Sequence, residues 1–354
     1  KELANNYSLN TVDLCPVGAL TSTDFRFKMR VWFLKETLSI CPESSAGCNT
    51  LVSSREGEIH RIVPRRNDAV NDSWMTDSGR ALYKQVKSDD RLKTPLVDQE
   101  ESMMEDALLS AVTSLEGKSV GIVGSCKSSL EEQFLLNRLA KVLKAKKFLR
   151  GHFGEDDGIL LSADRTPNLR GALITGIASS YPKDHLSPLA QALKKDQLEA
   201  LLVVGEDLID SKVDAELLSG VQVVYLGTHE NATSNLAQVV IPTLTSFEKS
   251  GSFVNRGFFL QRFRQAVPGP AGLLPDVHVL ARLVKELTGQ EEVASDLDSI
   301  WKEMGRSSTS PLKGLSFSDT KKDGIQLDGS KWADLAFVEQ KALHYEPIAK
   351  PKDA

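Results

Sequence analysis

The chain has 354 residues, 41% hydrophobic and 26% charged, the composition of an ordinary globular protein long enough for two or three domains. Its formal charge of −5, from 43 Lys and Arg against 48 Asp and Glu, provides no global basic field for nucleic acid. No apolar run approaches the roughly 20 residues needed to span a bilayer, and the polar start at Lys1–Asn6 does not read as a signal peptide. The chain does not begin with Met, which suggests a piece of something longer.

Thr50–Ser54 and Ile59–Val63 read as a β-hairpin whose turn is Arg55-Glu56-Gly57-Glu58. A polar connector over Ser88–Pro95 leads to a predicted helix with Met104, Leu108, Ala111 and Leu115 at helical spacing. From residue 118 the pattern alternates strand and helix. Ser119–Val123 is a short apolar strand, and the helix after it has Ser129 and Glu132 at capping-box spacing. Leu198–Val204, Val221–Leu226 and Gln238–Ile241 are the compact apolar runs of buried parallel strands. A helix over Asp276–Leu287, a short one around Leu297–Met304 and a Ser/Lys/Gly-rich tail, read as an extended arm, complete the chain. This βαβ rhythm predicts an α/β fold with a doubly wound, Rossmann-like parallel sheet, preceded by a small β-rich segment.

Four cysteines, at 15, 41, 48 and 126, are too few for a disulfide framework in a chain of this size. The sharpest local signal is Asp13-Leu14-Cys15-Pro16-Val17-Gly18-Ala19-Leu20. A Cys followed by Pro is how ferredoxin-type motifs end; Pro redirects the chain and Gly lets backbone approach a cluster. On chemistry alone, Cys15 reads equally as a cluster ligand or as a buried free thiol.

Leu14–Leu34 resembles the large iron–sulfur subunit, the G-type one, of NADH:quinone oxidoreductases (complex I). The resemblance implies that Cys15 is the fourth ligand of a [4Fe-4S] cluster whose other cysteines lie outside this chain. A second stretch, Cys41–Arg80, resembles the N-terminal segment of molybdopterin oxidoreductases, patterned C-x2-C-x3-C, then about 27 residues, then a fourth Cys. In that register Cys41 and Cys48 match, while Ser44 and Thr76 stand where thiolates are usual. Hydroxyls are poor cubane ligands, so the four positions read as a vestigial site. The run Lys249–Gln261 is similar to that family's G-[ST]-x-x-N-x-E-G-R-x-Q element, with Gly257, Phe258 and Phe259 replacing Glu, Gly and Arg. No metal-ligand Cys or Ser in a family-like context is found, and the 65 residues after Gly289 are too few for the family's C-terminal barrel.

The resemblance implies four segments: 1–40, the end of a ferredoxin-like cluster region; 41–85, a degenerate [4Fe-4S] segment; 86–289, a molybdopterin oxidoreductase-like α/β domain; and 290–354, a helix and tail. It implies an electron-relay and structural subunit of complex I, passing electrons from NADH toward quinone through iron–sulfur clusters, with no catalytic residue of its own. A [4Fe-4S] cluster is expected in the longer subunit through Cys15, with none on this chain alone and no molybdopterin. The partners implied are other peripheral-arm subunits, including the NADH-binding one, on the cytoplasmic side of the inner membrane without insertion. The electron-input subunit of an NAD-linked hydrogenase or formate dehydrogenase is the alternative, and a metal-free assembly module is one of a different class.

Three further signals point to chemistry less well. Gly121-Ile122-Val123-Gly124-Ser125-Cys126-Lys127-Ser128 differs from the phosphate-binding G-x4-G-K-[ST] only at Cys126, but that is the glycine whose open backbone forms the cradle, and Leu201–Val204 runs into Gly205-Glu206 rather than a metal-binding Asp. The histidines at 60, 152, 185, 229, 278 and 344 have no metal spacing, and His278 is expected to pack on its helix. The basic Arg26–Arg30 stretch with Trp32 reads as a charged face near a partner.

Overall fold

The computed structural model describes residues 5–307, 310–318 and 320–338. A short helix, α1 (Asn10–Leu14), precedes an antiparallel sheet of β1 (Lys35–Ile40), β2 (Asn49–Arg55) and β3 (Glu58–Pro64). Between β2 and β3, Glu56 and Gly57 take φ of 51° and 78°. Two left-handed residues in succession close a hairpin with the twist its strands require. In this sheet the strand not anticipated is β1, whose exposed Lys35 and Glu36 hide its more buried half; it pairs with β2 from Lys35↔Ser54 to Ile40↔Asn49. α2 (Asp77–Ala81) then starts on Thr76, whose hydroxyl accepts the Gly79 N–H.

The second unit runs through β4 (Leu96–Val97), β5 (Glu100–Glu101), α3 (Met104–Leu115), β6 (Val120–Ser125), α4 (Leu130–Val142), β7 (Lys146–Arg150), α5 (Leu169–Thr175), α6 (Ser187–Lys194), β8 (Ala200–Val204), β9 (Gln222–Gly227) and β10 (Val239–Pro242). Its seven-stranded sheet has the order β5-β4-β10-β9-β8-β6-β7, parallel from β10 to β7 and antiparallel at β4 and β5. Period-two alternation divides the strand side chains between two cores. Ile122, Leu202, Val224 and Leu226 join α3, α4 and α7 (Asp276–Thr288) on one face, while Val123, Leu201, Val203 and Val223 join α6 on the other. That two-sided burial is why these strands read as continuous apolar runs. The capping box of α4 forms as read, with Ser129 and Glu132 each bonding the other's backbone N–H.

β11 (Gly251–Val254) and β12 (Phe259–Phe263) form a second hairpin, followed by α7 and α8 (Leu297–Met304). β13 (Ile325–Gln326) adds a third strand through Leu260↔Ile325. The described part of the tail is therefore not the extended arm expected of it. Trp332 stacks on Phe258 at 5.5 Å, and Phe337 lies under the Arg170 guanidinium at 4.0 Å. A few aromatic anchors hold a polar segment down, which composition alone does not register. Residues 339–354, including His344, lie outside the described residues.

Candidate functional site

α1 ends on Cys15, the residue that caps its C-terminus. The thiol is partly exposed, which removes the buried-free-thiol reading. The amides of Leu20, Ala19, Val17 and Gly18 close around its sulfur and hold its pKa below the ordinary thiol value, because they stabilise the thiolate. Gly18, at φ +63°, permits that turn. One partly exposed sulfur, in a backbone cradle that favours its thiolate form, fits a single ligand position of a cluster.

Cys41 and Cys48 extend the β1–β2 register past its last ladder pair, with the Cys41 N–H donating to the Cys48 carbonyl at 2.8 Å. A Cβ placed on Gly79 would meet Thr76 Oγ1 at 2.7 Å, Cys41 Sγ at 2.8 Å and Glu43 Oε2 at 3.1 Å, so these three groups converge over that glycine. Three of the four register positions thus belong to one locality. Ser44 is buried beside them, its hydroxyl 3.5 Å from the Ala46 amide. Sequence reasoning misses Glu43, which accepts the Thr76 hydroxyl proton. Burial, then the negative charge of Glu43, push the Cys41 thiol well above its usual value. Burial also pushes Cys48 up to about 12, against the nearby Arg256. Two protonated thiols, a hydroxyl committed to a helix cap and a carboxylate do not fit a cubane that takes four thiolates. Among the described residues, no three His, Cys, Asp or Glu are arranged to hold a metal ion.

The Lys249–Gln261 element forms the β11–β12 hairpin and clasps the Cys48 loop. Asn255 Nδ2 donates to the Ala46 carbonyl at 3.2 Å, the Arg256 N–H to that of Ser45 at 2.7 Å, and Gln261 Nε2 to that of Gly47 at 2.9 Å. Here the motif's Asn and Gln are structural clips.

A cavity of about 320 Å³ opens at the C-terminal ends of β6, β8, β9 and β10, where ligands bind in doubly wound folds. Lys127, Arg165, Lys249, Glu132 and Asp276 are among its lining side chains, and no thiol or imidazole lines it. Without a Cys or His in the lining, a metal held there would have hydroxyls and carboxylates as its protein donors. Cys126 is fully buried in the core, and burial raises its thiol well above the usual value. The phosphate-loop resemblance also dissolves. Gly121 and Gly124 lie within β6, and only three residues separate that strand from the Ser129 cap, too few for a phosphate cradle. Glu206, which the sequence reading passes over as no metal-binding Asp, accepts from Ser125 Oγ at 2.5 Å and lies 2.8 Å from His152 Nε2. His278 is exposed rather than packed. Val17, Phe27 and Trp32 are 81%, 91% and 74% exposed, with Arg26 and Arg30 over the last two rings, a larger apolar surface than a charged face requires.

Residues 34–84 match the family described as NADH-ubiquinone oxidoreductase NDSU1/NuoG-like, 4Fe-4S domain, and residues 177–286 match molybdopterin oxidoreductase. Subunit 3 of the NADH-quinone oxidoreductase of Thermus thermophilus is 38% identical over 149 residues, 40% of this chain and 19% of its own length. The G subunit of the Rickettsia prowazekii NADH-quinone oxidoreductase is 32% identical over 158 residues, 43% of this chain and 23% of its own. The G subunit of the Streptomyces coelicolor enzyme is 31% identical over 143 residues, 38% of this chain and 17% of its own. The chain spans about a fifth of the length of these relatives. A chain of the formyltransferase/hydrolase complex (FhcABCD) of Methylorubrum extorquens, solved with methylofuran, overlaps 55% of this chain and 99% of its own at 11% identity and a TM-score of 0.39, too loose a likeness to speak for function. The match over 34–84 counts against the expectation of no [4Fe-4S] cluster on this chain alone, although half the thiol positions within it carry hydroxyls. Two segments of the chain are thus similar to known families, 34–84 to the NuoG-like 4Fe-4S domain and 177–286 to molybdopterin oxidoreductase.

Proposed function

We propose that the chain is part of an electron-relay and structural subunit of an NADH:quinone oxidoreductase, in which Cys15 supplies one ligand of a [4Fe-4S] cluster completed by cysteines beyond this sequence. The observation that carries the reading is the Cys15 thiol, partly exposed and cradled by four backbone amides, just ahead of a segment of a NuoG-like 4Fe-4S domain. A cluster there supplies one-electron transfer. The chain's own residues contribute the sulfur and the amide dipoles around it, which bear on the potential. We read 1–40 as the end of a ferredoxin-like region, 41–85 as a cluster segment whose site is vestigial at Cys41, Ser44, Cys48 and Thr76, 86–289 as the α/β scaffold, and 290–354 as its closing helix and tail. NADH oxidation is assigned to another subunit, and no molybdenum step is assigned to the cavity.

The exposed apolar and basic surface over Val17–Phe33 supports burial against a neighbouring domain or peripheral-arm subunit. Among the described residues no helix is long and apolar enough to cross a membrane, and the same reading puts the chain in the peripheral arm on the cytoplasmic side. The test is expression with the upstream domain of the native subunit: Cys15→Ala should remove one [4Fe-4S] signal from the reduced EPR spectrum. A spectrum unchanged by that substitution would refute the ligand assignment.

A further inference from the structure

The helix that presents Cys15 has little to hold it up by itself. α1 is five residues long and has no side-chain cap at its N-terminus, and a single helical turn is unstable alone. Its fixed position comes from the 75–80 stretch, some 60 residues further along the chain, the stretch in which Thr76 stands at a vestigial cluster position. Asn10, 2% exposed, donates from Nδ2 to the Met75 carbonyl at 2.8 Å, and its Oδ1 accepts the Met75 N–H at 3.2 Å. Arg80 Nη2 donates to the same Asn10 Oδ1 at 2.9 Å and to Asp13 Oδ2 at 2.5 Å. Asp77 accepts the Leu9 N–H at 3.1 Å, and the Asp77 N–H donates to the Asn6 carbonyl at 2.6 Å.

We propose that Arg80, acting through Asn10 and Asp13, is a positioning residue for the Cys15 ligand: the Thr76–Arg80 turn, no longer bearing a thiolate, serves to clamp α1 and set the charge beside the neighbouring cluster. The inference rests on the reading of Cys15 as a ligand. Three features support it. Arg80 is buried, with 8% of its side chain exposed, so its charge is poorly screened. Its Nη2 alone serves two oxygens on α1 at once, Asn10 Oδ1 and Asp13 Oδ2, so one buried group ties down both ends of the turn. Thr76 keeps the turn helical by capping α2, so the clamp stands without a fourth cysteine.

The experiment uses the full-length subunit with its upstream domain, carrying Arg80→Gln or Asp13→Asn, and a potentiometric EPR titration of the signal that Cys15→Ala removes. Removing the guanidinium leaves Asp13 and Asp77 uncompensated, favours the more positive oxidised cluster and should lower the midpoint potential. Asp13→Asn should raise it. A merely structural role would not produce shifts of opposite sign. Loss of that one signal in Arg80→Gln, with the other clusters intact, also supports the clamp, and Asp13→Asn then carries the sign test. Unchanged potentials in both variants, or shifts of the same sign, overturn it. If Cys15→Ala removes no signal, the ligand reading fails; if it removes one and the two variants behave like wild type, only the clamp fails.

Discussion

Lys249 reaches two carboxylates, Glu132 at 2.8 Å and Asp276 at 2.7 Å, at the wall of the strand-end cavity. One cation cannot neutralise both. Burial, then the proximity of Asp276, raise Glu132 from 4.5 to about 7 against the pull of Lys249. A carboxylate whose folded pKa is raised binds its proton more tightly in the folded state. Its stabilising contribution is full below about pH 4.5 and is lost as pH rises through about 7. The protein should therefore lose stability between about pH 5 and 8, and Glu132→Gln, which can still complete the capping box, should flatten that slope. Urea midpoints at the two pH values measure it, and equal slopes in wild type and variant would count against the buried triad. In the sequence, Glu132 is legible only as half of a capping box. That Lys249 and Asp276 converge on it depends on α7 crossing α4, which no local pattern records. The same holds for Glu43 over Thr76. Cysteine spacing shows where ligands are missing and is silent about what now fills the space.

Elements with one strong periodicity are the legible ones. α3 buries Ala107, Leu108, Ala111 and Leu115, and the buried strands β8 and β9 stand within two residues of their apolar runs. β7 escapes notice because Lys146 and Lys147 are exposed at the sheet edge, where charge keeps the strand from pairing further. The loop that mimics a phosphate-binding motif shows why residue identity without placement misleads. A Cβ on Gly121 would come within 2.8 Å of Leu201 and 3.0 Å of Leu198, and one on Gly124 within 3.1 Å of Leu136 and Leu149. These glycines admit neighbouring side chains to the strand and do not free a loop. Gly121→Ala should cost about 1–3 kcal/mol through overpacking. Lys127→Ala, at an exposed position, should change stability by less than ~0.5 kcal/mol. Chemical denaturation of the two variants checks the ordering; a Lys127 effect as large as that of Gly121 would restore a role for the loop.

At the scale of the molecule, the antiparallel β unit and the α/β unit share their interior. Ile40 packs with Phe253 and Phe263, whose rings lie 4.6 Å apart, and Phe247 and Val267 enter the cluster around Cys41, Val52 and Met75. The Arg264 N–H donates to the Leu38 carbonyl at 3.1 Å and the Ser54 hydroxyl to that of Ala266 at 2.9 Å. Further along, the fully buried Glu131 accepts Ser252 Oγ and Trp301 Nε1, each at 2.7 Å, joining α4, β11 and α8. The β11–β12 hairpin is thus the keystone, touching the cysteine loop at one end and the helical layer at the other. A resemblance that divides the chain by sequence segment cannot reveal this, because the hairpin's contacts lie some 200 residues away along the chain, as in Asn255 to Ala46. Such an arrangement should unfold as one cooperative unit. Trp301→Ala, which opens a cavity of indole size and leaves Glu131 short of a donor, should cost about 3–5 kcal/mol. It should lower the stability of the 35–85 unit by the same amount. Far-ultraviolet circular dichroism and the fluorescence of Trp74, which lies outside that helical layer, should report coincident transitions in wild type and variant alike. A Trp74 transition that stayed at the wild-type midpoint while the helical signal moved would show that the two units fold independently.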